Sequence, residues 1–212
     1  MNTANDARFW DRTSRRYAAA PVADQAGYER TLARTRDYLR PDDQVLELGC
    51  GTGSTALLLA GNVRSYVATD ISPEMIAIAR EKNSAAPISG LTFRVAIAEE
   101  LAAEAMQVQA VLGFNYLHLV RDLPGTLRRI NTLLETGGLF ISKTPCLGDM
   151  NPLIRLVLLP AMHAIGQAPH ASAFRANELS QYLADAGFEI LATESHASKG
   201  NESLPYIVAR KR

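Results

Sequence analysis

The segment VLELGCGTGSTA, residues 45–56, constrains the fold of this chain more than any other stretch. A short apolar run ends in closely spaced glycines, and helix-forming residues follow it. Gly51, Gly53 and Ala56 match the spacing of a dinucleotide-binding turn, in which a strand passes into a helix beside a bound ligand. The segment therefore predicts the first strand–turn–helix unit of an α/β fold.

A carboxylate directly precedes these glycines. Glu47 would repel the pyrophosphate of a dinucleotide at the mouth of the turn, so we expect a ligand without phosphate. Asp70 ends the second predicted strand, about 20 residues downstream, where an acid accepts hydrogen bonds from ribose hydroxyls. S-adenosylmethionine satisfies both residues, because it carries an adenosine together with a positive sulfonium and a positive ammonium group. A nicotinamide dinucleotide is the disfavoured alternative.

The rest of the chain alternates predicted strands and helices. Five strands, at 44–49, 65–70, 91–96, 110–115 and 139–144, are joined by helical crossovers, and two closing strands follow at 188–194 and 205–211. This order predicts an α/β fold: a Rossmann-like, seven-stranded, mostly parallel sheet with helices on both faces and N-terminal helices. Glycines at 61, 137, 138 and 187 are expected to end the helices that precede them.

We predict a single domain over residues 1–212, with an N-terminal helical cap at 1–40 and an apolar insertion at 146–174 after the fifth strand. Between Pro152 and Gly166 the insertion carries Arg155 as its only full charge, whereas connecting loops are usually short and polar. The insertion is therefore expected to be a helical lid or a contact surface. It could line an apolar substrate pocket, form a dimer contact or touch a membrane surface.

Charge and cysteine content exclude several classes of partner. The chain has 22 basic and 22 acidic residues, so no overall field draws it to nucleic acid or to an anionic membrane. Cys50 and Cys146 lack the number and spacing of a disulfide framework or a zinc site, which predicts free thiols and no metal. No signal-peptide core and no run of roughly 18 apolar residues is present, so we expect a cytoplasmic location.

Taken together, these motifs resemble the class I S-adenosylmethionine-dependent methyltransferases. The resemblance rests on E-L-G-C-G-T-G at 47–53 after a buried strand, on Asp70, and on the order of strands and helices. Phe9-Trp10-Asp11 and Arg16-Tyr17, ahead of the glycines, are similar to the branch of ubiquinone, menaquinone and small-molecule methyltransferases. The resemblance covers about residues 8–145 and, more loosely, 174–212. It implies S-adenosylmethionine as cofactor, S-adenosylhomocysteine as product and a small-molecule substrate.

The resemblance also implies which residues surround the cofactor. They are Gly49 and Gly51 under the methionine part, Asp70 at the ribose, Ile71 and Met75 flanking the adenine, Ala98 and Glu99 at the adenine edge, and Phe114 with Asn115 beside the sulfonium. The chain departs from the family at Ile97, where members often carry an aspartate that contacts the adenine amino group. The Ala98 main chain or Glu99 would have to supply that contact.

Two further residues near the glycines are candidate cofactor contacts. Tyr17 could close over the cofactor carboxylate or pack against Trp10. Cys50 is expected to fill space beside the cofactor rather than to act as a nucleophile, because no His or Lys lies near it in sequence.

The histidines are the candidates for a general base. His118 follows the fourth strand, where acceptor and cofactor would meet, and it is the candidate catalytic residue. His163 and His170 lie in the insertion and could face a pocket, whereas His196 is expected to be structural.

The predicted reaction is methyl transfer to a small apolar or aromatic acceptor by in-line displacement. A membrane-associated quinone or lipid methyltransferase, with peripheral membrane contact, is one alternative. A non-catalytic S-adenosylmethionine-binding module is another. A nucleic-acid substrate is not expected, and the protein could be a monomer or a homodimer.

Overall fold

The computed structural model describes residues 3–150, 168–198 and 203–212. The strands are β1 (Gln44–Leu48), β2 (Ser65–Asp70), β3 (Leu91–Val95), β4 (Val108–Phe114), β5 (Leu134–Lys143), β6 (Phe188–Ser195) and β7 (Pro205–Lys211). The α-helices are α1 (Thr3–Ala19), α2 (Gln25–Tyr38), α3 (Ser54–Leu59), α4 (Pro73–Ala85), α5 (Ala98–Ala103), α6 (Leu123–Leu133) and α7 (Ala176–Asp185).

The strands form one sheet in the order β3-β2-β1-β4-β5-β7-β6. Strands β1 to β5 pair in parallel, and β7 is antiparallel to both of its neighbours. The α/β, mostly parallel, seven-stranded fold predicted from the sequence is confirmed. Strand order reverses between β1 and β4, and a crevice for ligands opens at the carboxyl ends of strands at such a point.

Helices cover both faces of the sheet. Helices α5, α6 and α7 bury one face in a core layer that includes Leu46 and Leu48 of β1. Helices α2, α3 and α4 cover the other face in a layer that includes Val45, and α1 packs along α4. Successive residues of β1 therefore point to opposite layers, as the period-two alternation of a strand requires.

One of the predicted helix ends is wrong. Helix α6 ends at Leu133 rather than at the glycines, because Leu134 already pairs with Val108 of β4 and buries its side chain in the core. Gly137, at φ 80°, lies inside β5, which pairs with β4 through a register shift. Gly61 sits in a 3-10 turn that continues α3. Gly187, at φ 85°, follows the end of α7 as predicted.

The described ends of the predicted insertion lie together. The Gly148 main-chain N–H donates to the Phe174 carbonyl at 2.8 Å, and both Leu147 and Phe174 are buried. The chain thus leaves and rejoins the domain at one place. Residues 151–167, which include His163 and most of the predicted lid, lie outside the described residues.

None of the helices in the described ranges combines the length and the apolar character that a membrane span requires. In the same part of the chain, no three His, Cys, Asp or Glu side chains come together as a potential metal site. Cys50 and Cys146 are both free and buried.

Candidate functional site

A cavity of about 480 Å³ lies at the carboxyl ends of β1, β2 and β4. Its volume is in the range of small-molecule and cofactor sites. Of the residues expected from the sequence to contact the cofactor, nine line it: Tyr17, Gly49, Gly51, Asp70, Ile71, Met75, Glu99, Phe114 and Asn115. The candidate base His118 lines it as well.

The glycine turn has left-handed backbone at three positions, and each glycine has its own reason. A Cβ on Gly49, at φ 70°, would lie 2.8 Å from the Tyr116 ring, and one on Gly53 would lie 2.7 Å from the Phe93 ring. A Cβ on Gly51 would meet only the Tyr17 ring, at 3.6 Å. Gly49 and Gly53 therefore allow close packing within the protein, whereas Gly51 leaves its backbone open to the cavity.

Asp70 ends β2 and accepts hydrogen bonds from main-chain amides. Its Oδ2 accepts the Gly51 N–H at 2.9 Å, and its Oδ1 accepts the Ser72 N–H at 2.9 Å. Burial raises the pKa of this carboxyl, and the main-chain hydrogen bonds oppose the rise. The carboxylate has about four acceptor sites, more than the main-chain groups of Gly51, Ile71 and Ser72 occupy, so at least one remains for a ligand hydroxyl. The arrangement fits the ribose contact expected from the sequence.

The expectation that Glu47 lies at the mouth of the turn is wrong. Its side chain is 2% exposed, is not part of the cavity lining, and accepts a hydrogen bond from the Tyr66 hydroxyl at 2.9 Å. Alternation along β1 places Glu47 with Val45, in the layer under α2 and α3. Burial, with a smaller contribution from Asp70, raises its pKa to about 7. Glu47 can therefore influence a ligand only through its field.

Cys50 and Ala98 also lie outside the cavity lining, contrary to expectation. Cys50 packs in the core layer under α3, and burial raises the pKa of its thiol well above the ordinary range, which agrees with a space-filling role. Ala98 begins α5 and is fully buried in the opposite layer, because the residues on either side of it, Ile97 and Glu99, face the cavity instead.

Tyr17 makes one of the two contacts that the sequence left open, the packing against Trp10. Its ring packs edge-on against Trp10 with centroids 6.2 Å apart, and it also covers Gly51. Both aromatic residues line the cavity. Tyr17 is half-exposed, so α1 forms the outer wall of the site.

Two carboxylates hold α1 across the cavity mouth, and sequence reasoning missed both contacts. Asp6 accepts two hydrogen bonds of 2.8 Å from Arg121, which follows β4. Asp11 accepts the Ser72 hydroxyl at 2.6 Å and the Glu74 N–H at 3.3 Å, at the start of α4. The partners are 115 and 61 residues apart in the chain, so no local pattern signals them.

His118 lies in a 3-10 turn, Leu117–Leu119, after β4. Its Nδ1 is 2.9 Å from the Thr144 hydroxyl oxygen, which also accepts the His118 main-chain N–H at 3.2 Å. Burial lowers the pKa of the imidazole to about 4, so the ring is neutral at neutral pH.

The other described histidines make their contacts away from the cavity. His196 is stacked on Tyr206 at 4.3 Å and bonded through its two ring nitrogens to Thr31 and Glu194, so its expected structural role agrees with its surroundings. His170 pairs with Ser172 at 3.2 Å. Neither residue belongs to the cavity lining.

Charges around the cavity are strongly one-sided. Among the described lining residues the charged groups are the acids Asp6, Asp70, Glu99 and Asp122 and a single cation, Arg121. Asp6 pairs with Arg121, and Arg129, outside the lining, lies 3.7 Å from Glu99 and 3.9 Å from Asp122, so the acids still outnumber the arginines that face them. The cavity therefore favours a cationic ligand and disfavours a polyphosphate.

Comparison with known proteins agrees with this geometry. A family model described as "Methyltransferase domain" matches residues 15–193. The chain belongs to this methyltransferase family. The resemblance to class I S-adenosylmethionine-dependent methyltransferases, drawn from the sequence, is thereby confirmed.

Two individual methyltransferases are similar to this chain over part of their length. The demethylmenaquinone methyltransferase of Symbiobacterium thermophilum is 27% identical over 161 residues, covering 74% of this chain and 56% of its own length. The ubiquinone biosynthesis O-methyltransferase of Methylocella silvestris is 30% identical over 143 residues, covering 66% of this chain and 55% of its own. The chain thus spans little more than half the length of these relatives.

A solved methyltransferase shows the same fold over the full length of both chains. This protein is the magnesium protoporphyrin IX methyltransferase of Synechocystis, which was crystallised with bound S-adenosylhomocysteine. It superimposes with a TM-score of 0.73 at 17% identity and covers 100% of each chain.

Proposed function

We propose that this methyltransferase transfers the methyl group of S-adenosylmethionine to a small apolar or aromatic acceptor by in-line displacement. The observation that carries the proposal is the composition of the cavity: Asp70 with a free acceptor site, an open backbone at Gly51, and acids that outnumber their arginine partners. S-adenosylmethionine matches this combination, because it has ribose hydroxyls, two positive groups and no phosphate.

The residues present fit the two ends of the cofactor. Asp70 would hold the ribose, and the apolar side chains of Ile71, Met75 and Ile97 would enclose the adenine. Gly51 would approach the methionine part, which Tyr17 would cover from outside. Glu47 lies behind the turn and, when ionised, adds negative potential without contact.

The cofactor brings an activated methyl group, so the protein has to align the acceptor and exclude water. Trp10, Tyr17 and Tyr116 supply aromatic walls for this purpose. An acceptor that must lose a proton needs a base, and His118 is the candidate because its ring lines the cavity and is neutral, although a pKa of about 4 makes it a weak base. In the tautomer whose Nδ1–H donates to Thr144, Nε2 carries the lone pair that takes the proton.

A quinone acceptor is the second candidate, in an enzyme that works at a membrane surface. The names of the demethylmenaquinone and ubiquinone relatives favour it. The predicted use of residues 152–166 as membrane contact belongs to this candidate, and those residues lie outside the described part. Flotation with liposomes, comparing the full chain with a form lacking residues 152–166, separates the two.

The proposal is tested by binding and turnover on the full chain. Calorimetric titration should show that S-adenosylmethionine and S-adenosylhomocysteine bind and that NADH does not. Incubation of methyl-labelled S-adenosylmethionine with small phenols and short-chain quinones should transfer label to at least one acceptor. Tight NADH binding with none for S-adenosylmethionine would overturn the proposal. Cofactor binding without transfer to any physiological acceptor would instead support the non-catalytic module.

A further inference from the structure

Ser72 is the point at which two predicted cofactor contacts meet. Its main-chain N–H donates to Asp70 Oδ1 at 2.9 Å, and its hydroxyl oxygen accepts the Met75 N–H at 3.1 Å as the N-cap of α4. Asp70 and Met75 both line the cavity, whereas Ser72 itself is fully buried behind them. The position of Ser72 therefore sets the position of both.

Asp11 of α1 determines how the Ser72 hydroxyl is oriented. A hydroxyl has one proton, and an ionised carboxylate can only accept, so the 2.6 Å contact sends that proton to Asp11 Oδ1. The lone pairs of Ser72 are then left for the Met75 N–H. Asp11 Oδ1 also accepts the Glu74 N–H, so its negative charge lies at the N-terminus of a 13-residue helix.

We propose that Asp11 is a positioning residue for the nucleoside half of the cofactor. It acts through Ser72 on the Asp70 carboxylate and on the first turn of α4, and it does not belong to the cavity lining itself. This inference rests on the proposed function, since it takes the cavity to hold S-adenosylmethionine with its ribose at Asp70. The carboxylate of Asp11 thereby links the position of α1 to the geometry of the ribose contact.

The test compares two ligands, S-adenosylhomocysteine and its 3′-deoxyribose analogue, by calorimetric titration. Wild type should prefer S-adenosylhomocysteine, because the analogue lacks a hydroxyl that Asp70 accepts. Asp11→Ala should lower affinity for S-adenosylhomocysteine about five- to tenfold and affinity for the analogue less, so that the preference shrinks. Asp11→Asn keeps an acceptor oxygen for Ser72 and should retain most of the preference.

Two further variants keep the test independent of folding. Ser72→Ala removes the other half of the same contact and should reduce the preference as Asp11→Ala does, even where Asp11→Ala fails to fold. Asp37→Ala removes an exposed carboxylate of α2, paired with Arg34 at 3.7 Å, and should leave both affinities unchanged. In the double variant Asp11→Ala with Ser72→Ala, the loss should be less than additive, because both changes break one contact.

The possible failures are distinct. If Asp11→Ala and Ser72→Ala weaken both ligands by the same factor, or neither ligand, Asp11 has no positioning role even though the proposed function stands. If wild type binds S-adenosylhomocysteine without distinguishing the analogue, the ribose assignment of Asp70 fails, and the role of Asp11 fails with it. If wild type binds neither ligand, the proposed function itself is refuted.

Discussion

Replacing Glu47 by glutamine tests the electrostatics behind the glycine turn. In the folded protein burial raises the pKa of this carboxyl from 4.5 to about 7, so the folded chain binds the proton more tightly than the unfolded chain does. The difference corresponds to about 3 kcal/mol. This contribution to stability is fully present below pH 4.5 and is lost as the pH rises through 7.

Glu47→Gln removes the titrating group and keeps an oxygen that can accept from Tyr66. The free energy of unfolding of wild type should therefore fall relative to that of the variant by about 3 kcal/mol between pH 4.5 and pH 8. Urea unfolding at several pH values measures this difference, and a constant offset from the glutamine amide drops out of the comparison.

Two results would refute this reasoning about Glu47. One is a pair of parallel stability curves for wild type and Glu47→Gln over the whole pH range. The other is the same relative change for Glu104→Gln, which removes an exposed carboxylate paired with Arg94 and serves as the matched control. Cofactor binding gives an independent check, because the positive charges of S-adenosylmethionine favour ionised Glu47. Its affinity should rise with pH in wild type and less so in Glu47→Gln.

Three further predictions concern the site and its frame. Asp70→Ala should weaken S-adenosylhomocysteine binding by about 1 to 3 kcal/mol in calorimetry, and unchanged affinity would remove Asp70 from the site. Gly49→Ala should destabilise the fold by about 1 to 3 kcal/mol in urea unfolding, because φ is 70° at this position and the new Cβ would clash with the Tyr116 ring. The control Gly61→Ala, where a Cβ meets nothing within 4 Å, should leave the stability unchanged. Arg121→Ala should speed S-adenosylhomocysteine release in stopped-flow measurements, because it frees one end of α1. The control Arg94→Ala breaks a similar surface pair and should leave the release rate unchanged. Equal release rates for wild type and Arg121→Ala would show that α1 does not limit release.

The N-cap of α4 is a feature of the fold that could be predicted from neighbouring residues alone. Ser72 followed by Pro73 predicts a helix start, and the structure has Ser72 as N-cap and Pro73 in the first turn, because capping involves groups within a few residues of one another. The end of α6 could not be predicted from neighbouring residues. Leu134 leaves the helix to pair with Val108, and that pairing depends on a strand elsewhere in the chain.

In the candidate site, too, some positions could be predicted from neighbouring residues and others could not. Asp70 and the glycines were predicted because a strand end and a turn have fixed spacing in sequence. Glu47 was placed at the wrong side of the turn, although the alternation of β1 already groups it with Val45 rather than with Leu46 and Leu48. The alternation along β1 is thus a sequence signal that predicts the buried position of Glu47, despite its proximity to the glycines.

The sequence by itself determined the order of strands and helices, the glycine turn and the acid at the end of β2, because each depends on residues that are close in the chain. Only the tertiary structure decided what encloses the cavity. Asp6 with Arg121 and Asp11 with Ser72 are brought together by packing of α1 across the sheet ends, over separations that no periodicity or motif encodes.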